Sequence, residues 1–297
     1  MPRRFWPPVL LLALTLLPGC PRPQPPRPGP PASLPVHRPT PEQAAAPRPT
    51  SRPTSLPTSL PTTRPVEPQT TTAPSPVPTR AVRCGDPRAG LRVALTFDDG
   101  PSRFTPKLLD VLRREKVPAT FFVLGRLVRR HPALIRRIHA EGHLVANHSF
   151  DHPKQASIEA WRQQIQRTEQ LIRAAGVPVA PFFRPPHGVV RPALLRLCHE
   201  LGYTVVLYTL LSSDWKLPGV KALVSQVLHR VAPGSIIVLH DAGGYRQQTL
   251  DALPEIIRGL RRKGFALVTL ETLLGPTPRP LPCARPYRPL PPPTFPD

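Results

Sequence analysis

From Leu91 onward the chain repeats one pattern: a short apolar run, a turn, then an amphipathic segment long enough for a helix. Apolar runs bounded by turn residues are read as buried strands, and their regular alternation with helices points to parallel strands joined by crossover helices. The spacing predicts strands at residues 91–97, 119–124, 144–146, 181–183, 203–208, 235–239 and 265–268. It predicts helices at 105–116, 132–142, 157–175, 192–201, 220–231 and 249–263. The fold class is therefore α/β, and a (β/α) barrel of this kind carries its functional residues at the carboxyl ends of its strands.

Proline marks where the domain stops. An interior proline removes a hydrogen-bond donor from a helix or sheet, yet the 297 residues include 48 prolines. Twenty of them fall in residues 21–80, and another dense group follows Leu274. That leaves 84–275 as one folding unit, with a proline-rich tail at 276–297. Residues 21–83 hold Pro, Thr, Ser, Arg and Gln with almost no large apolar side chains, a composition expected to form a disordered linker. Extended, it would reach on the order of 150 Å. Ahead of it, Arg3 and Arg4 precede an apolar run at 9–17, shorter than the ~20 residues of a spanning helix, which marks a signal peptide in residues 1–20. Leu17-Pro18-Gly19-Cys20 resembles the lipobox of bacterial lipoproteins, whose cysteine is lipidated. The expected setting is thus an exported lipoprotein, anchored to a membrane by acyl chains and facing the periplasm or cell exterior. Ordinary cleavage with an unmodified Cys20 is the alternative.

Cys84 and Cys283 lie just outside the two ends of the domain, while Cys198 sits within a helical pattern of leucines. In an oxidising compartment the outer two could form a disulfide that joins the termini, because the first and last strands of a barrel are neighbours. The formal net charge is 40 − 18 = +22. The linker contributes 8 − 2 = +6 and residues 84–275 contribute 27 − 15 = +12. No zinc-finger spacing, basic zipper or aromatic RNA-binding signature accompanies the arginines, so nucleic acid is not the expected partner. The charge suits anionic envelope polymers or lipid head groups, with general solubility as the alternative.

The predicted strand ends collect polar side chains. The first closes on Thr96-Phe97-Asp98-Asp99-Gly100, and the third on Asn147-His148-Ser149-Phe150-Asp151-His152-Pro153. Histidines four apart on one helical turn, with an aspartate, make an N,N,O donor set of the kind that binds catalytic zinc. The strand at 235–239 runs into His240-Asp241, which adds a side chain suited to proton transfer. Independent polar turns would have no reason to fall after successive strands.

With these motifs the sequence resembles the polysaccharide deacetylase family, carbohydrate esterases of the chitin and peptidoglycan deacetylase type, over about residues 91–270. The matches are Thr96 to Gly100, then His148, Ser149 and His152, then Arg184-Pro185-Pro186-His187-Gly188, and finally Leu239-His240-Asp241. Asp214-Trp215 is a partial match, because Leu211 departs from the residue frequent three positions earlier; at His187 the family usually has tyrosine. The resemblance implies a distorted (β/α) barrel and hydrolytic removal of acetate from N-acetylated sugars. It implies that Asp99, His148 and His152 ligate a divalent metal, zinc by ligand type. Asp98 would be the general base, paired with Arg184, and His240 the general acid, oriented by Asp214. Trp215 and Leu239 would enclose the acetyl methyl, and the main-chain N–H of His187 would stabilise the oxyanion.

Two other functions fit parts of the pattern: an esterase acting on O-acetyl groups, and a glycan-binding lipoprotein whose site is degenerate at Leu211 and His187. A serine hydrolase does not fit, since no Gly-x-Ser-x-Gly occurs. The expected partner is an N-acetylated polysaccharide, met by a monomer. Peptidoglycan, chitin-like oligomers and poly-N-acetylglucosamine are equally compatible with the sequence.

Overall fold

The computed structural model describes residues 78–284. The signal segment, Cys20, nearly all of the expected linker and the end of the tail lie outside the described residues. Within them the strands are β1 (Arg92–Asp98), β2 (Thr120–Val123), β3 (Leu144–Asn147), β4 (Phe182–Phe183), β5 (Thr204–Val205), β6 (Leu210–Leu211), β7 (Ile236–His240) and β8 (Ala266–Leu267). The α-helices are α1 (Thr105–Glu115), α2 (Gly125–Arg130), α3 (Pro132–Ala140), α4 (Ile158–Ala174), α5 (Pro192–Glu200), α6 (Val220–Arg230), α7 (Gln247–Arg262) and α8 (Leu270–Leu274). Helix starts follow local chemistry. Proline opens α3 and α5, and the Ser157 hydroxyl caps α4 by accepting from Ala160 N at 3.2 Å.

The strand order is β5-β4-β3-β2-β1-β7-β6, all pairs parallel, with β8 added to the start of β1. Chain connectivity forces this sheet to curl. Strands β5 and β6 stand at opposite ends of the order, yet only five residue steps separate Val205 from Leu210, a reach of at most about 18 Å. Laid flat at ~4.8 Å per strand, the two edges would stand about 29 Å apart. The result is a distorted barrel with its edges drawn together rather than a closed one. Main-chain bonds from Val82 to Val205 and from Leu207 back to Val82 cover the β5 edge.

Strand alternation then divides the core. The outward set on β1, β2 and β7, including Leu95, Phe97, Phe121, Ile237 and Leu239, packs against the helices. The inward set, including Ala94, Phe122, Ala146, Phe182 and Ile236, fills the barrel. Cys84 and Cys283 are joined by a disulfide, with a Cα–Cα separation of 5.8 Å. Val82 is 1% exposed, so the folded unit reaches back into the segment expected to be linker. The strand predicted over 203–208 is broken after Val205, and β6, α2 and α8 were not foreseen. β6 is a two-residue ladder, too short for periodicity to register.

Candidate active site

A cavity of about 540 Å3 opens at the carboxyl ends of the strands. β1 delivers Asp98 into it at the register of His240 on β7. Asp99 follows with φ 75°, a left-handed conformation that turns its carboxylate toward the loop after β3. Gly100 is required behind it, because a Cβ there would run into the Asp241 carboxylate. That carboxylate accepts from Thr105 Oγ1 at 2.5 Å, and the Ser102 hydroxyl bonds to the Asp241 carbonyl. Burial pushes the Asp241 carboxyl up to about 7, and its contacts pin the turn that carries Asp99.

His148 and His152 meet Asp99 as the spacing suggested, but not on a helical turn. They lie on a loop in which Ser149 and His152 both have positive φ, 74° and 67°. His148 Nε2 lies 3.5 Å and His152 Nε2 3.4 Å from Asp99 Oδ1, and the three donor atoms fall within 4.8 Å of one another. Asp99 Oδ1 is buried without a hydrogen-bond partner among the described residues. His148 Nδ1 lies 2.7 Å from the Arg184 carbonyl, which assigns the proton to Nδ1 and turns the Nε2 lone pair toward Asp99. Burial and the adjacent His148 push His152 down to about 4, so its imidazole is neutral. Burial alone would raise the Asp99 carboxyl, but His148, His240 and His152 outweigh it and hold it well below the usual carboxylate range. An orphaned anionic oxygen between two imidazole nitrogens fits a divalent cation.

Behind this cluster Arg184 is 1% exposed. Burial lowers its pKa, against the raising effect of Asp98. The desolvation of its charge, several kcal/mol, is offset by a full set of partners. Its guanidinium donates to Asp98 Oδ1 at 2.6 Å, Thr96 Oγ1 at 2.8 Å, and the carbonyls of Leu207 and Val206 at 3.1 and 3.3 Å, and it lies 3.9 Å from the Phe122 ring centroid. This fixes the position of Asp98. On the facing wall, Asp214 is fully buried and holds His240 twice, through Nδ1 at 2.7 Å and the main-chain N–H at 2.9 Å. Burial disfavours the His240 cation, but Asp214, with Asp98 and Asp99, raises its pKa above the ordinary value.

Trp215 stands over His240 with ring centroids 5.3 Å apart. His187, at φ 58°, carries an exposed imidazole whose centroid lies 4.5 Å from that of His152. The turn bonds Gly188 N to Pro185 O and Val189 N to Pro186 O, and among the described residues the His187 N–H has no main-chain acceptor. Leu239 is not in the cavity. The period of two along β7 points Ile236, Val238 and His240 inward and Leu239 outward, where it is 0% exposed against the helices; Val238 lines the cavity instead. Leu211, which the sequence marked only as a departure from a motif, lines it too, as do Tyr208 and Arg126, which were not anticipated. Counting by twos from His240 would have found Val238; the others come from a strand break and from α2, which left no pattern.

A family model described as polysaccharide deacetylase matches residues 86–206. A peptidoglycan-N-acetylglucosamine deacetylase of Bacillus cereus is 38% identical over 185 residues, covering 61% of this chain and 67% of the relative. A chitooligosaccharide deacetylase of Bradyrhizobium sp. is 39% identical over 216 residues, covering 66% and 98% respectively. The crystal structure of a peptidoglycan N-acetylglucosamine deacetylase superposes with a TM-score of 0.64 at 36% identity, covering 67% of this chain and 94% of the other.

Proposed function

The chain belongs to the polysaccharide deacetylase family, and on that premise we infer that it hydrolyses the N-acetyl groups of an envelope or extracellular polysaccharide. The observation that carries this reading is the convergence in one cavity of the Asp99–His148–His152 cluster, the Asp98–Arg184 pair and the Asp214–His240 pair.

Asp99, His148 and His152 would hold a divalent cation, zinc by donor type, which when bound supplies Lewis acidity toward water and the acyl oxygen. The acetyl methyl packs against Trp215, Leu211 and Val238. Asp98, fixed by Arg184, takes the proton of the attacking water. The His187 N–H donates to the acyl oxygen as negative charge develops there. His240, kept cationic by Asp214, presents Nε2 to the leaving nitrogen and protonates it. Acetate and a free amine result.

The disulfide supports an oxidising compartment, and with it the expectation of export; anchoring through a lipidated Cys20 is part of the same proposal. Acetate release from N- and O-acetylated forms of one oligosaccharide tests the reaction. Release from the N-acetylated form with matching appearance of amines supports it. Release from the O-acetylated form alone makes the protein an esterase.

A further inference from the structure

The loop that carries His148 and His152 is held in a conformation its own residues do not favour. Ser149 and His152 both have positive φ, and non-glycine residues stay there only where surrounding contacts over-determine the backbone. Each N–H of the loop accordingly has an acceptor. Those of His148, Ser149 and His152 donate to Val123 O at 3.0 Å, Asn147 Oδ1 at 2.9 Å and Ser149 Oγ at 3.2 Å. The two between the histidines reach a separate element. Phe150 N and Asp151 N both donate to Gln164 Oε1 on α4, at 2.8 and 3.0 Å.

Helical spacing explains why α4 can supply this acceptor. The helix buries Trp161, Ile165, Thr168 and Ile172 as one stripe. Gln164 stands on the flank of that stripe, four residues before Thr168, and is half-buried. The same turn ties down the end of β3, where Asn147 Nδ2 donates to the Ile165 carbonyl at 2.9 Å. One turn on, the Arg167 guanidinium lies 3.9 Å from the centroid of the Phe150 ring. The orientation of the Gln164 amide is fixed, since turning it over would set its NH2 against two donors. Gln164 does not line the active-site cavity, so it can act on the reaction only through the loop.

We propose that Gln164 is a positioning residue for the metal site. One carbonyl oxygen, by gathering Phe150 N and Asp151 N, fixes the bend between His148 and His152 and sets both Nε2 atoms beside Asp99 in advance of the cation. Without that acceptor the loop relaxes toward ordinary negative φ and draws His152 away from Asp99. Part of the cation's binding free energy then goes into reordering the loop. The inference rests on the reading of Asp99, His148 and His152 as metal donors, and adds the group that keeps two of them in place.

The test is the zinc affinity of the chelator-treated full chain, measured by competition with a chromophoric chelator. Gln164→Leu keeps most of the side-chain bulk and removes the acceptor; it should bind zinc about ten- to a hundredfold more weakly than wild type. Gln164→Glu offers a carboxylate oxygen to the same two N–H groups and should bring the affinity back to near wild type. Gln166→Leu makes the same change at an exposed position two residues along, on a different face of α4, and should leave the affinity unchanged. General weakening of the helix would affect both leucine variants alike. A measurement on the metal-free wild type needs no variant: the Phe150 and Asp151 amides should be protected from hydrogen exchange. Full affinity in Gln164→Leu, a loss that Gln164→Glu does not repair, or unprotected amides at 150 and 151 would overturn the positioning role. A wild-type chain that takes up no zinc overturns the metal reading itself, whereas a Gln164→Leu variant that matches a zinc-binding wild type overturns this inference alone.

Discussion

Replacing Asp214 by asparagine keeps the shape of the side chain while removing its charge and one acceptor. The wild-type carboxylate is fully buried and accepts four hydrogen bonds: His240 Nδ1 at 2.7 Å and Ser212 Oγ at 3.2 Å on Oδ1, and His240 N at 2.9 Å and Thr249 Oγ1 at 2.8 Å on Oδ2. The single amide oxygen of Asp214→Asn would keep the main-chain N–H and the Thr249 hydroxyl, which places the amide NH2 against His240 Nδ1. Nδ1 must then accept, so the imidazolium, which carries a proton on both nitrogens, loses its partner. A hydrogen bond to a charged group contributes ~1.5–3 kcal/mol, or about ten- to a hundredfold in the protonated fraction of His240 at a fixed pH. In the wild type burial opposes the cation and Asp214 more than compensates; in the variant burial acts without that compensation. Because the protonated form is the active one, rate is lost as pH rises through the His240 pKa, and the variant should lose it at lower pH. The assay is kcat/KM for acetate release as a function of pH, with circular dichroism and bound metal as controls. The alkaline limb should move to lower pH, and the neutral-pH rate should fall about 10- to 100-fold. A limb that stays in place or moves up refutes His240 as an acid held by Asp214.

Asp98→Asn should retain a full complement of metal and lose about 10²- to 10⁴-fold in turnover, checked by metal analysis alongside kinetics. His187→Ala keeps the main-chain donor and should stay within about tenfold of wild type, whereas His187→Pro deletes that donor and should lose ~10²- to 10³-fold in kcat at an unchanged circular dichroism spectrum. Cys84→Ser opens the disulfide to Cys283 and should lower unfolding free energy by ~2–5 kcal/mol in a denaturant titration without altering kcat.

The parts of the site legible in the sequence are those whose position follows from strand register. Asp98 and His240 stand at the ends of two long apolar runs, and those runs pair as β1 and β7 at the same level. His148 and His152 were visible through their spacing, but the positive φ at Ser149 and His152 that brings them together was not, because neither is a residue type that announces a left-handed backbone. Leu239 was misplaced by a motif read without its strand. Once residues 236–240 are treated as a ladder, alternation puts Val238 beside His240 on the inner face. The curl of the sheet was implied by alternating strands and helices, but not the interruption between β5 and β6. There the chain crosses from one edge of the sheet to the other in a few residues, and no local pattern encodes a crossing fixed by long-range pairing.

The account turns on whether Asp99, His148 and His152 hold the cation on which hydrolysis depends. The direct measurement is a zinc titration of chelator-treated protein, with bound metal and acetate release from an N-acetylated oligosaccharide followed together. The expected result is that both rise in parallel and level off at one equivalent per chain, and that Asp99→Ala shows neither. Acetate release that persists in the metal-free chain, or full activity in Asp99→Ala, would contradict it.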